Sequence, residues 1–411
     1  MKDQVKARER LTWDTRPLGS LCTVIAGQSP KSSAYNEDGR GLPFYQGKKE
    51  FTDRFLAPPT TWTTQVTKRA KPNDILMSVR APVGPINETK ESICIGRGLA
   101  AIRADKKIDR SFLWYALLWL QPEIVGNAGA VFPSINKKAI EALEIPLPPL
   151  EEQKRIVAVL DQAFAALDRV RAHAEANLAD AQLLFEYQAA EIFQALKRKH
   201  PARRTVADVA GSAKGSIRTG PFGSQLLHSE FVDNGIAVLG IDNAVANEFR
   251  WAKRRYITEE KFRQLSRYTV HPGDVIITIM GTCGRCAVIP DDIPLAISTK
   301  HLCCITLDSA KCLPDYLHRY FLLSPAAREY LAARASGSIM DGLNMGVIKE
   351  MPISVPSLKT QDDVVSEIAK IEDGTQSIAI NYKEQIHNLD TLRQSILQKA
   401  FSGELKGSIR V

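Results

Sequence analysis

Over two stretches of this chain apolar residues recur every three or four positions, and elsewhere the rhythm breaks into short runs between turn residues. In the first stretch they fall at Ile156, Val157, Leu160, Phe164, Leu167, Val170, Ala174, Leu178, Ala181, Leu184, Phe185 and Phe193. In the second they fall at Val364, Val365, Ile368, Ile371, Ile378, Tyr382, Ile386, Leu389, Leu392, Ile396, Ala400 and Phe401. This is the stripe of a helix that buries one face. It predicts helices over 151–198 and 358–405, each about 70 Å long at 1.5 Å per residue. Pro148-Pro149 and Pro356 block an earlier start, and Glu151 and Glu152 sit well at a positive helix end. Gly374 is expected to weaken or bend the second helix. Neither stripe can be buried alone, and a chain that leaves along one helix and returns along the other makes an antiparallel pair. The expected pair interface is Ile156, Leu160, Leu167, Leu178, Leu184, Ile368, Ile378, Ile386, Leu389, Leu392 and Ile396.

The segments before each helix read as globular. Leu42–Tyr45, Asp74–Val79 and Gly98–Ile102 look like strands bounded by Gly, Pro and Asn, with a helix over Ser111–Leu120. The plan then repeats. Pro72-Asn73-Asp74-Ile75 answers Pro272-Gly273-Asp274-Val275, Gly84 answers Gly284, and Pro314–Leu322 answers the helix. The proline-(Asn/Gly)-Asp element is a turn feeding a buried strand, where Asn or Gly accepts positive φ. Ile145-Pro146-Leu147-Pro148-Pro149-Leu150-Glu151-Glu152-Gln153 returns as Ile353-Ser354-Val355-Pro356-Ser357-Leu358-Lys359-Thr360-Gln361. Asn136 and Asn344 match as well, with a capping or turn role expected for both. The fold class is α+β: two globular domains (1–148 and 201–356) and two long antiparallel helices (149–200 and 357–405), with a tail at 406–411 and a pseudo-two-fold internal repeat.

Charge separates the two kinds of segment. Residues 1–150 carry 22 Lys and Arg against 15 Asp and Glu, and 201–357 carry 18 against 15; the helical stretches are slightly acidic, at 7 against 8 and 5 against 8. Positive charge therefore sits in the globular parts, as expected if these meet phosphate and the rods do not. The seven cysteines show no disulfide-framework spacing, and no apolar window reaches the length of a membrane span. The N-terminus lacks a signal-peptide core, so a cytoplasmic location is expected.

Pro148-Pro149-Leu150-Glu151-Glu152-Gln153-Lys154-Arg155-Ile156, with the run Leu392–Leu405 that closes in Ser402-Gly403-Glu404-Leu405, resembles the specificity subunits of type I restriction–modification systems. The resemblance covers essentially the whole chain. It implies that each head is a target-recognition domain reading one half of a bipartite, asymmetric double-stranded DNA site. It also implies that the helices form a coiled-coil spacer and the docking site for two methyltransferase subunits, with restriction subunits joining the full complex. No catalysis and no cofactor would then reside on this chain; S-adenosylmethionine, ATP and Mg belong to the partners. The second helix opens Ser357-Leu358-Lys359-Thr360-Gln361, without the paired acidic residues of the first.

The residues themselves agree with a non-catalytic chain. The sequence contains no Gly-Lys-Ser/Thr phosphate loop, no Asn/Asp-Pro-Pro-Tyr/Phe stretch, no Gly-x-Ser-x-Gly elbow and no His-Glu-x-x-His helix. Cys283-Gly284-Arg285-Cys286 with Cys303-Cys304 invites a zinc reading, but adjacent cysteines fit a tetrahedron poorly, and an apolar strand explains them better. No metal is assigned. DNA contacts are expected from Tyr45, Gln46, Lys48, Lys49, Arg80, Arg97 and Lys137 in the first head, with Gln46 offered to adenine. In the second they are expected from Arg218, Thr219, Asn243, Arg254, Arg255, Arg285, Lys300 and His301. A solvated surface charge is the plainer reading of any one of them. The rival for the whole chain is a coiled-coil scaffold joining two protein-binding domains, which explains the rods but not the basic heads.

Overall fold

The computed structural model describes residues 13–124, 133–335 and 343–405. The chain divides into two compact units, Met1–Glu175 with Glu384–Val411, and Ala176–Lys383. Each long helix therefore gives one part of itself to each unit. The tail at 406–411 lies outside the described residues.

The two heads share one strand plan. The first contains β1 (Cys22–Ala26), β2 (Leu42–Tyr45), β3 (Ile75–Ser78), β4 (Ile86–Glu88), β5 (Ile93–Ile95) and β6 (Leu99–Ala104). The second contains β7 (Ile217–Thr219), β8 (Ile236–Leu239), β9 (Val275–Thr278), β10 (Cys286–Val288), β11 (Ala296–Ser298) and β12 (Leu302–Ile305). One antiparallel sheet runs β1-β6-β3-β4, and its counterpart runs β7-β12-β9-β10. Beside it, β2 pairs parallel with β5, and β8 pairs parallel with β11. The central strands β3, β9 and β12 are buried on both faces, which is why they read as short continuous apolar runs, while the edge strands β1 and β7 are partly open.

The repeated turn takes the conformation its residues allow: Asn73 has φ 71° and Gly273 has φ 77°. It delivers Asp74 and Asp274 into the core, where each accepts a backbone N–H, from Lys71 (2.8 Å) and His271 (2.9 Å). Each carboxylate also meets an arginine at 2.6 Å, Arg103 from β6 in the first head and Arg218 from β7 in the second. Position 306, where the second head would place the counterpart of Arg103, holds a threonine that donates to Asp274 Oδ1 (2.6 Å). The buried negative charge is kept and its counter-ion has moved to the neighbouring strand.

Helix α1 (Arg110–Leu120) caps on Asp109, which accepts from the N–H groups of Ser111 and Phe112. It is followed by α2 (Leu150–Lys199), α3 (Pro314–Leu323) and α4 (Leu358–Phe401). Gly374 lies inside α4 without interrupting it. Asn136 and Asn344 cap short helices, accepting from Ala139 and Val347. Gln153 and Gln361 explain why glutamine survives in both helix openings when the acidic pair does not. Gln153 accepts from Asp109 N–H (2.7 Å) and donates to the Pro148 carbonyl (2.9 Å). Gln361 accepts from Leu313 N–H (2.9 Å) and donates to the carbonyls of Lys311 and Pro356. Each buried amide ties its helix to its own head. Glu151 and Glu152 only pair along the helix surface, with Lys154 and Arg155.

In the first unit, Ile156, Leu160 and Phe164 of α2 share a core with Leu397, Ala400 and Phe401 of α4 and with α1. Phe401 stacks on Trp119 (5.3 Å, 18°), and Trp119 donates to Gln398 Oε1 (2.8 Å). The helices run antiparallel there: Arg155 donates to the Leu405 carbonyl, Asp168 pairs with Arg393 (3.0 Å) and Arg171 with Asp390 (2.6 Å). In the second unit, Phe193 and Leu196 of α2 join Val364 and Ile368 of α4 in the head core, with Phe193 edge-on to Tyr320 (5.5 Å). Asn177 donates to Tyr382 Oη in the same register (3.1 Å).

The inner seam departs from the expected interface at named positions. Buried and half-buried residues on α2 fall at Phe164, Leu167, Arg171, Ala174, Leu178, Ala181 and Phe185, alternating three and four; on α4 they fall at Thr375, Ala379, Tyr382, Ile386, Leu389, Arg393 and Ile396. Leu184, Ile378 and Leu392 are exposed at 48%, 43% and 46%, one position before the seam. Ile156, Leu160 and Ile368 are buried in head cores. Leu167, Leu178, Ile386, Leu389 and Ile396 lie on the seam. The 3.5-residue repeat of a helix pair selects a narrower line than a broad apolar stripe suggests.

Candidate nucleic-acid interface

In each head the strand ends meet along one rim. In the first, the parallel pairing of β2 and β5 sets the residues after Tyr45 beside those after Ile95, and Gly98 N–H donates to the Gln46 carbonyl (3.1 Å). The end of β1 joins through Gln28 N–H to the Ile95 carbonyl (3.0 Å), and the end of β3 through Val79 N–H to the Gly98 carbonyl (2.9 Å). The second head repeats this: Thr299 N–H donates to Leu239 (2.9 Å) and Ile279 N–H to His301 (2.9 Å). The segments leading to the two capping asparagines end on these rims as well, through Ile135 to Val79 (3.0 Å) and Leu343 to Ile279 (2.8 Å).

The first rim brings together Gln46, Lys48, Lys49, Arg80 and Arg97, all exposed. Lys137 is exposed and pairs with Glu141 one helical turn on (3.5 Å). Tyr45 is a correction to the expected set: it is buried, its hydroxyl donates to the Ala57 carbonyl (3.0 Å), and burial with Glu91 and Glu50 nearby pushes its pKa up to about 12. It shapes the rim from below.

On the second rim Lys300 and His301 occupy the turn between β11 and β12, where the first head has Arg97 between β5 and β6. Burial, then the charges of Lys300 and Arg255, lower the His301 pKa, so at neutral pH its ring carries no charge and offers one donor and one acceptor. Arg285 is exposed on the β9–β10 hairpin, and Thr219 is half-buried at the end of β7. Arg254 lies over the exposed Trp251 ring (5.2 Å). Arg255 is partly held by Asp242 (2.9 Å). Arg218 and Asn243 also leave the expected set. Arg218 is committed to Asp274, Thr306 and the Thr269 carbonyl, and Asn243 is buried, accepting from Gly240 N–H and donating to the Arg250 carbonyl. A guanidinium or amide whose hydrogen bonds are spent inside the fold has none left for a base.

Sequence reasoning missed Ser29, whose hydroxyl donates to Gln46 Oε1 (2.8 Å), and Trp251. The available signal was glycine. A Cβ at Gly27 would stand 2.1 Å from the Gly96 carbonyl oxygen, and one at Gly98 would stand 2.5 Å from that of Gln46. At Gly220 it would stand 2.2 Å from the Ser298 oxygen. Only glycine lets these loops close on one another. Cys303 and Cys304 face separate cores on opposite sides of β12. Burial pushes the Cys303 thiol up to about 12, and among the described residues no cluster of three metal-ligating side chains forms.

The family model for the type I restriction modification DNA specificity domain matches residues 11–176 and 231–388. The MjaX type I restriction enzyme specificity subunit of Methanocaldococcus jannaschii is 47% identical over 148 residues, 35% of this chain and 35% of that protein. The chain thus matches about a third of that relative's length. The EcoBI specificity subunit of Escherichia coli is 22% identical across 97% of this chain and 87% of its own. A chain from a structure of type I R-M system assembly and conformational transition superposes with a TM-score of 0.70, at 19% identity, over 96% of this chain and 98% of that one. That likeness is one of fold.

Proposed function

We infer the function of this chain from the family to which it belongs, that of the type I restriction–modification DNA specificity domain, together with its two rims. It is a DNA-recognition subunit, and each head reads one half of a bipartite site. The observation that carries this is the pair of rims. They share a strand plan and hydrogen bonds, yet hold different side chains: Gln46, Lys48, Lys49, Arg80 and Arg97 on one, Arg254, Arg285, Lys300 and His301 on the other. One scaffold with two sets of donors suits two unlike half-sites.

The helix pair sets the gap between half-sites and docks two methyltransferase subunits, with restriction subunits added in the full complex. Support for two copies of one partner comes from exposed apolar residues that recur at the 208-residue repeat: Val170 with Ile378, and Leu184 with Leu392, each near half exposed. The first unit holds Val170 and Leu392, the second Ile378 and Leu184. Every one precedes a seam residue by one position, which puts the two of each unit on the same flank of the pair. The chain itself is non-catalytic in this reading, and S-adenosylmethionine, ATP and Mg sit on the partners. No helix among the described residues is long and apolar enough to cross a membrane, and we place the protein in the cytoplasm with its DNA.

Exchanging residues 13–146 for the first head of a relative, then mapping methylated motifs in a host carrying the partner subunits, tests this. One half-site should change and the other should stay. A swap that alters both half-sites, or neither, contradicts the reading.

A further inference from the structure

We propose that Gln46 and Arg97 together read a guanine in the half-site of the first head; this rests on the DNA-recognition reading above. Both side chains line one open cleft of about 710 Å³, walled by Tyr35 and Phe44, whose rings stack at 4.8 Å. The cleft is built by close backbone approach. A Cβ at Gly96 would stand 2.6 Å from Gln46 Oε1, and one at Gly98 would stand 2.5 Å from the Gln46 carbonyl oxygen.

A short relay orients the amide. The Arg97 backbone N–H donates to Ser29 Oγ (3.3 Å), and Ser29 Oγ donates to Gln46 Oε1 (2.8 Å). The amide oxygen is turned in toward the loops, and Gln46 Nε2 makes no hydrogen bond among the described residues. Neither does the Arg97 guanidinium. These two side chains therefore present donors, while the Glu50 carboxylate on the same lining is an acceptor. In the major groove guanine presents two neighbouring acceptors, O6 and N7, whereas adenine presents an acceptor and a donor. A glutamine reads adenine by using its oxygen as well as its nitrogen, and here Ser29 holds the oxygen against the Gly96 backbone, leaving the nitrogen as the group to present. The second head cannot repeat the reading: glycine (Gly240) follows β8 where Gln46 follows β2, and Lys300 stands in place of Arg97.

The test maps methylated motifs for the full complex carrying wild-type chain, Ser29→Ala, Gln46→Ala and Arg97→Ala. The wild-type motif should hold a guanine, on either strand, in the first-head half-site. Ser29→Ala frees the amide oxygen and should relax that guanine to either purine. Gln46→Ala and Arg97→Ala should lower methylation at guanine-bearing sites about ten- to a hundredfold relative to substituted ones. The second half-site should be unchanged in all three, which also reports that the variants fold and assemble. A first half-site without guanine, or one kept at wild-type stringency by both Ser29→Ala and Gln46→Ala, overturns the proposal while leaving DNA recognition intact. A wild-type complex that methylates no bipartite motif overturns both.

Discussion

Asp74 and Asp274 were visible in the sequence as part of a repeated turn, and the positive φ at Asn73 and Gly273 follows from residue type alone. Their arginines were not visible, because Arg103 and Arg218 occupy different strands and match at no constant spacing. Arg218 reads in sequence as one more basic residue near a glycine. Folded, only 11% of its side chain is exposed, against an aspartate at 1%. Removing it leaves a buried charge uncompensated, so Arg218→Ala should cost about 3–5 kcal/mol in urea unfolding. Pairing Arg218→Met with Asp274→Leu should recover part of that loss, since the lone buried charge is gone but the His271 N–H and the Thr306 hydroxyl lose their acceptor. A single variant that unfolds like wild type would show that the ion pair carries little.

At the scale of elements, both long helices were legible from their apolar spacing, and their ends from proline and the glutamine anchor. Which apolar residues face inward was only partly legible. Val170, Leu184, Ile378 and Leu392 satisfy a helical stripe, yet Arg171, Phe185, Ala379 and Arg393 take the seam. The two arginines are accepted because each finds an aspartate on the other helix, and Arg393 also lies over Phe164 (4.3 Å). Leu167→Ala, on the seam and half-buried, should cost about 1–2 kcal/mol, below the range for fully buried leucine. Leu392→Ser, off the seam, should change stability by less than about 0.5 kcal/mol. Thermal melting of the two variants side by side checks the assignment; equal losses would place Leu392 inside after all.

For the whole molecule, the off-seam residues are expected to act through partners. Val170→Ser with Leu392→Ser removes the apolar pair in the first unit, and Leu184→Ser with Ile378→Ser the pair in the second. On the proposed reading the wild-type chain should retain two copies of the methyltransferase subunit and each double variant one, as read by native mass spectrometry of the co-purified complex. Two copies retained in both variants would take these residues out of the docking surface.

The order of residues was enough to determine two copies of one plan, the extent of both rods, the turn that feeds each central strand, and the placing of positive charge in the heads. All of these depend on neighbours in the chain or on a fixed repeat, so spacing and residue type carry them. Folding alone decided which polar groups face outward. Lys48, Arg97 and Lys300 line the rims, while Arg218 and Asn243 spend their hydrogen bonds inside. That choice depends on what stands across the sheet, as Asp274 stands across from Arg218. A pairing between strands more than fifty residues apart leaves no periodic trace in the sequence.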